Sequence, residues 1–147
     1  MIVHSALRRC LIQGALASLV LIVAGVASAQ DPRAGMAQVA ARDWLAKADN
    51  LDAPGSYAAA GGKFREPITL AQWSAAITQV RAPLGDVSQR AVVETAFDKV
   101  KSDAGADIEI VMLRFRTSFA KKADGTEVMT LEHEADGVWR VIGYEIR

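Results

Sequence analysis

The stretch from Ile108 to Arg147 constrains this chain most. It holds three runs of alternating apolar and polar residues, separated by two near-identical corners, Ala123-Asp124-Gly125 and Ala135-Asp136-Gly137. An Asp-Gly corner between alternating runs is a hairpin signal. Glycine takes the left-handed backbone without a steric cost, which suits a three-residue loop with a bulge. With that geometry at both corners the register follows. The first corner pairs Lys122 with Thr126, so Phe119 meets Met129, Thr117 meets Leu131 and Phe115 meets His133. The second pairs Glu134 with Val138, so Leu131 meets Val141, Met129 meets Gly143 and His133 meets Trp139. All of these fall on one largely apolar face. The other face carries a row of Arg116, Glu132 and Arg140, then Ser118, Thr130 and Ile142, then Ala120, Val128 and Tyr144. That face is predicted to be wet. Opposite charges across a sheet contribute only about 0.2–1 kcal/mol a pair, so the apolar face must supply most of the stability. A two-residue corner at Asp136-Gly137 is the rival register; it moves Trp139 to the other face and brings Tyr144 and Ile142 inside.

The opposite end of the chain reads as a targeting segment. Arg8 and Arg9 precede an almost unbroken apolar run from Cys10 to Val26, and Ala27-Ser28-Ala29 is a small-x-small cleavage site. This is the pattern of a secretory signal peptide over residues 1–29, and it implies a periplasmic or secreted protein. An uncleaved anchor is the alternative, because the run is long enough to span a bilayer. Cleavage would remove two of the 17 basic residues and none of the 17 acidic ones, leaving 15 against 17, a net −2. That balance argues against a nucleic-acid partner. It also offers no polybasic patch for a membrane once the segment is gone. Cys10, the one cysteine, leaves with the segment, so no disulfide forms even where export would allow it. The remainder, residues 30–147, is of a size for one domain with its own core.

Residues 34–50 are predicted to be a helix with Met36, Val39, Ala40, Trp44 and Lys47 on its inner stripe. Asp52-Ala53-Pro54-Gly55 breaks it, and a short helical turn over Ser56 to Gly61 carries Tyr57. Thr69 and Gln72 form a capping-box pattern that opens a helix through Arg81, with Trp73, Ala76, Ile77 and Val80 as its apolar stripe. Ala82-Pro83-Leu84-Gly85 stops that helix. Val87 to Phe97 reads as a strand with Ala91, Val93, Thr95 and Phe97 on one side, followed by a polar loop over Lys99 to Asp107. Helices first and four antiparallel strands after is an α+β order, with helices covering one face of a curved sheet.

These residues resemble the domain of unknown function 4019 family of secreted bacterial proteins, over essentially the whole chain after the leader. The marks are Trp44-Leu45, Tyr57, Trp73, Arg81-Ala-Pro-Leu-Gly85, Arg90, Thr117 with Phe119, Glu127, and Gly137-x-Trp-Arg-Val-x-Gly-Tyr144. The chain departs from the family's pattern after the tyrosine, where Ala58-Ala59-Ala60 stands in place of a Ser-Trp pair, and it lacks the Pro-Gly-rich loop usual before the long strand. The resemblance implies a fold similar to the nuclear transport factor two-like cone. It implies no established activity.

Few residues could carry chemistry. His133 is the one histidine after the leader, and the register above places it inside, between Phe115 and Trp139. A pocket histidine can act as acid, base or ligand contact; a histidine bonded to a neighbour does none of these. One histidine without cysteine does not make a metal site, no serine or cysteine sits in a nucleophile setting, and no cofactor is indicated. Arg81 and Arg90 bracket the Pro-Leu-Gly turn. They read either as an anion clamp or as helix-end caps paired with Asp86 or Glu94. Tyr57 and Trp73 either line a cavity mouth or fill the core. Binding, through His133, Tyr57, Trp73, Arg81 and Trp139, is therefore one reading: a non-enzymatic domain holding a small apolar ligand or a partner protein. A small cone-fold enzyme using His133 with Tyr57 for proton transfer or hydrolysis is the other. The oligomeric state is not legible.

Overall fold

A computed structural model describes residues 31–147. The expected targeting segment lies outside the described residues. The order is α1 (Pro32–Asp49), α2 (Ala53–Ala59), α3 (Gly62–Arg65), α4 (Leu70–Arg81), a 3₁₀ turn (Ala82–Leu84), and strands β1 (Val87–Lys101), β2 (Asp107–Phe119), β3 (Lys122–His133) and β4 (Trp139–Ile146). The strands form one antiparallel sheet in the order β1-β2-β3-β4. The expected α+β arrangement of helices followed by a four-stranded antiparallel sheet is what the chain adopts.

Local chemistry sets most element ends. Asp31 caps α1, accepting from the backbone of Arg33 at 3.0 Å, with Pro32 in the first turn. Asp52 caps α2 in the same way, accepting from Gly55 at 2.9 Å, so the Asp-Ala-Pro-Gly stretch that ends one helix also begins the next. Both halves of the capping box form on α4.

The helix α1 is turned from the predicted stripe. Its inner face is Ala37, Ala41, Trp44, Leu45 and Ala48, whereas Met36 and Val39 are 54% and 57% exposed. One residue is about 100° of helix rotation, and the small alanines let the helix lie close to the sheet. Trp44 belongs to both stripes. In α4, Trp73 and Ile77 point inward, and the third inward residue is Arg81 rather than Val80, which is exposed.

The sheet register differs from expectation at the first corner. The reversal between β2 and β3 is at Ala120-Lys121, with Phe119 paired to Lys122, not at Ala123-Asp124-Gly125. The Ala120 and Lys121 amides donate to the carbonyls of Asp86 and Leu84, at 2.8 and 2.9 Å, so the end of the 3₁₀ turn and the link from it to β1 select the turn. Gly125 sits inside β3 opposite Thr117, under the Phe119 ring; a Cβ there would lie 2.6 Å from Phe119 Cε2. Glycine at this position serves a close approach, not a corner. The slip is an even number of residues, so Phe115, Thr117, Met129 and Leu131 keep the inner face. Their partners change: Leu113 meets Met129, Phe115 meets Glu127, and Arg116 meets Thr126 instead of Glu132.

The second corner is as expected. Gly137 has φ +81°, Glu134 accepts from Gly137 and donates to Val138, and His133 pairs with Trp139. Trp139 and Glu132 therefore lie on opposite faces. A bulge between Thr130 and Leu131 then shifts the far half of β4, so Met129 meets Tyr144 instead of Gly143. The bulge brings Tyr144 inward while leaving Trp139 there as well. A similar irregularity between Val92 and Glu94 changes the phase of β1. Arg90 and Val92 face in before it, Thr95 and Phe97 after it, and Val93 is 50% exposed. Bulges bend and twist strands, which gives the sheet the curvature to wrap the helices.

Candidate functional site

Six polar side chains meet where the ends of α1 and α4 reach the sheet. Asp49 is the last residue of α1, Arg81 the last of α4, and Arg90, Thr117, Glu127 and Tyr144 come from β1, β2, β3 and β4 in turn. The Glu127 carboxylate, with no exposed surface, is the centre. Its Oε1 accepts from Arg81 Nη1 at 3.0 Å, Arg90 Nη2 at 3.1 Å and the Tyr144 hydroxyl at 2.6 Å. Its Oε2 accepts from Arg90 Nε at 2.7 Å and Thr117 Oγ1 at 2.5 Å. Arg90 also forks onto Asp49 at 2.8 and 2.9 Å, and Arg81 donates to the same carboxylate. The Arg81 guanidinium lies 4.8 Å from the Phe119 ring centroid, a favourable cation–π distance.

Two guanidiniums and two carboxylates cancel, so the cluster has no net charge to offer an anion. Arg81 and Arg90 pair with Asp49 and Glu127 rather than with Asp86 or Glu94; Glu94 pairs with Arg114 at 2.6 Å. Burial draws the Arg90 titration down, but its bonds to Asp49 and Glu127 outweigh that and hold it above the ordinary arginine value. Burial, and then the Glu127 charge, push Tyr144 well above an ordinary phenol. Tyr144 is thus a fixed hydrogen-bond donor and not a proton source near neutrality.

That shift has a sign for stability. The fold favours protonated Tyr144, so its contribution is intact below the ordinary tyrosine value of about 10 and is lost as pH rises towards the raised folded-state value. Urea unfolding should lose about 1.4 kcal/mol between pH about 9 and about 11 from this group. Tyr144→Phe should be less stable at neutral pH yet lack that part of the alkaline decline.

Beside the cluster, α4 and the end of β4 enclose a cleft of about 280 Å³, lined by Trp73, Ala76, Ile77, Val80, Arg81, Tyr144, Glu145 and Ile146. Its wall is mainly apolar. Both charged side chains on it are already engaged, Arg81 as described and Glu145 with Arg147 at 2.8 Å. Trp73 is held by a hydrogen bond from Nε1 to Ser56 Oγ at 2.9 Å and by edge contacts with Phe64 and Tyr144.

Of the residues singled out by sequence, Trp73 and Arg81 thus share one cleft. Tyr57 is partly buried against the core, and its hydroxyl donates to the carbonyls of Ile68 and Arg65 at 2.8 and 3.3 Å. His133 and Trp139 lie elsewhere, at the corner end of β3 and β4. His133 is not enclosed between Phe115 and Trp139: the register moves Phe115 opposite Glu127. It stacks on Trp139 alone, 4.8 Å between ring centroids, with Nε2 3.1 Å from the Gly137 carbonyl and Nδ1 3.6 Å from Glu109. His133 and Tyr57 share no polar partner. Among the described residues no group of three histidine, cysteine, aspartate or glutamate side chains is placed to hold a metal.

A family model described as "Protein of unknown function (DUF4019)" matches residues 40–144. The chain belongs to the DUF4019 family. The marks Arg81, Arg90, Thr117, Phe119, Glu127 and Tyr144, scattered along the sequence, are the side chains of the buried cluster and the ring beneath it. Trp44 and Trp73 pack against Tyr144, and Tyr57 packs against the core. The curated proteins contain no match for this DUF4019 chain. Among solved structures it is similar to ActVI-ORFA from Streptomyces coelicolor, at 15% identity and a TM-score of 0.48, over 80% of this chain and 97% of that one.

The cluster as a unit escaped sequence reasoning, although a signal for it exists. Glu127 is in phase with Met129 and Leu131, Thr117 with Phe115 and Phe119, and Arg81 with Trp73 and Ile77. Two basic and two acidic residues on inward phases must find each other, because a buried charge without a partner is severely unfavourable. Asp49, placed off the apolar stripe, and Arg90, hidden by the β1 bulge, obscured the count.

Proposed function

We propose that this domain works outside the cytoplasm and binds a small neutral, apolar or amphipathic ligand, without chemistry, in the cleft between α4 and β4. The observation that carries the reading is an apolar cleft whose charged wall residues are already neutralised. Ligand sites are typically apolar concavities with a few fixed polar groups, of about 300–1,000 Å³, and this one, at about 280 Å³, falls just below that range and suits a small ligand. Trp73, Ile77, Val80 and Ile146 supply apolar contact. The hydrogen-bonded Tyr144 and Arg81 form a rigid polar floor whose position is set by every strand of the sheet. Preorganisation of that kind lowers the ordering cost of binding. The exported location is supported by the apolar Cys10–Val26 run and its Ala27-Ser28-Ala29 site.

Native mass spectrometry of protein purified from the periplasm tests the reading, through a co-purifying small molecule of matching size. Val80 is 49% exposed at the cleft, so Val80→Glu should leave the fold intact and reduce occupancy at least about tenfold, since a carboxylate in an apolar site is strongly unfavourable. Ligand retained undiminished by Val80→Glu would place binding elsewhere. No bound molecule, together with no tryptophan fluorescence change on titration with neutral amphiphiles, would defeat the reading.

A further inference from the structure

One wall of the α4–β4 cleft is made of backbone as well as side chains. β4 is the last strand of the sheet, so it pairs with β3 on one side only. The ladder fixes which of its backbone groups face the other side. Arg147 and Thr126 exchange both bonds, at 2.8 and 2.9 Å. In an antiparallel ladder such pairs alternate with pairs whose N–H and C=O groups point away from each other. Back from Arg147, Glu145–Val128 and Gly143–Thr130 are therefore bonded pairs, whereas Ile146–Glu127 and Tyr144–Met129 are not. The N–H and C=O groups of Tyr144 and Ile146 are directed to the open edge. The domain already uses this edge once: the Val141 carbonyl accepts there from the Gly61 amide at 2.8 Å, at the join between α2 and α3. Past that point, no backbone bond among the described residues reaches Tyr144 or Ile146 from the open side.

Residues two apart on a strand share a face, and Tyr144 and Ile146 both line the cleft. A segment laid antiparallel along this edge, at the usual spacing of about 4.8 Å, places two of its residues opposite Tyr144 and Ile146. Each exchanges an N–H···O bond in both directions with its partner. The side chains of those two residues fall on the cleft face, against Trp73, Ile77 and Val80. The residue between them points away. An apolar-x-apolar stretch of extended peptide meets both demands of the site, the free edge and the apolar wall. Charge narrows the choice further. Arg81 is paired with Glu127 and Glu145 with Arg147, so the wall offers no counter-charge and favours an uncharged segment. A second copy of β4 fits less well. The register in which both copies use both residues sets Glu145 directly opposite Glu145, and like charges so placed are destabilising.

We infer that the cleft takes a short, uncharged, extended peptide segment with apolar side chains at alternate positions, added to the edge of β4 as a fifth strand. The inference rests on the cleft being the ligand site and narrows its ligand to one with a peptide backbone.

The test titrates protein purified from the periplasm with three probes, following tryptophan fluorescence. The first is a capped six-residue peptide alternating valine and serine. The second is the same peptide N-methylated at its valines, which keeps every side chain and lacks the donors for the Tyr144 and Ile146 carbonyls. The third is octanol, apolar and without an amide. The first peptide should bind, slow hydrogen exchange at the Tyr144 and Ile146 amides, and bind at least about tenfold more weakly to Val80→Glu. The N-methylated peptide should bind the parent protein at least about tenfold more weakly than the first, since it forfeits at least two hydrogen bonds. Equal affinity for the two peptides, or binding with no slowed exchange at Tyr144 and Ile146, would overturn the inference. Octanol bound in a Val80→Glu-sensitive way, with neither peptide bound, would overturn it and leave the cleft as a ligand site. No binding of any probe would remove both readings. A dimer in sedimentation that the first peptide fails to dissociate, with the Tyr144 and Ile146 amides already protected, would assign the edge to a second copy instead.

Discussion

Glu127→Ala should destabilise the domain by about 3–5 kcal/mol, the cost of leaving buried charges without their partner. In a domain of this size that lowers Tm by at least about 10 °C. Four side chains depend on this carboxylate through five hydrogen bonds: it accepts from Arg81, twice from Arg90, from Thr117 and from Tyr144. Removing it strands two guanidiniums that are only 3% and 14% exposed, with Asp49 alone to balance them. The effect belongs to the partners left behind and not to glutamate itself. Replacing Arg81, Arg90, Asp49 and Glu127 together with apolar residues of similar volume should therefore cost much less than the sum of the four single changes. Urea unfolding of the singles and the quadruple variant, at fixed pH, checks this. Additive losses would show that the cluster is a set of independent pairs. A Glu127→Ala protein as stable as the parent would remove the cluster from any account of the fold.

Trp44→Ala should be the second large loss, again about 3–5 kcal/mol, for a big aromatic removed from a core. Trp44 is 2% exposed and touches Phe64, Trp73 and Tyr144, with ring centroids at 5.8, 5.6 and 5.1 Å. Its Nε1 donates to the Ser56 carbonyl at 2.8 Å, while Trp73 donates to the Ser56 hydroxyl. One fully buried serine thus receives both indoles and fixes α2 against α1 and α4. Trp44→Phe separates packing from hydrogen bonding: it keeps most of the ring contact and leaves the Ser56 carbonyl with the Ala60 amide at 3.1 Å as its remaining donor, a loss of about 0.5–1.5 kcal/mol. Equilibrium unfolding orders the three proteins as parent, Trp44→Phe, Trp44→Ala. Near-ultraviolet circular dichroism of Trp44→Phe should retain the Trp73 signal if the Ser56 contact survives. Because Tyr144 packs on Trp44, the alanine variant should also loosen the floor of the cleft, and cleft binding should weaken with it.

Several readings of the sequence carried through to the structure because their causes are local. The α4 capping box needs only Thr69 and Gln72, three residues apart. The Gly137 corner needs only a glycine free to take positive φ. Alternation along β2 and β3 is a property of extended backbone, and it survived an even register slip because side chains repeat every two residues. The candidate site was less legible. Arg81, Arg90, Glu127 and Tyr144 were all marked individually, yet their mutual contacts depend on separations of 17 to 63 residues along the chain. Arg81 was expected to find a neighbour such as Asp86 and found Asp49 and Glu127 instead. His133 was expected between two rings and has one.

The sequence by itself determined the two long helices, that helices precede a four-stranded antiparallel sheet, and which of its two Asp-Gly pairs could serve a corner between β3 and β4. Those follow from periodicity, caps and the one true Asp-Gly corner, all of them short-range. Only the tertiary structure decided which face of α1 is buried, where β2 turns into β3, and that a bulge admits Tyr144 to the interior. Each of those is a choice among locally equivalent conformations. It is settled by contacts between distant segments: alanines against the sheet, the Leu84 and Asp86 carbonyls on the Ala120-Lys121 turn, and a carboxylate that must be fully bonded once it is buried.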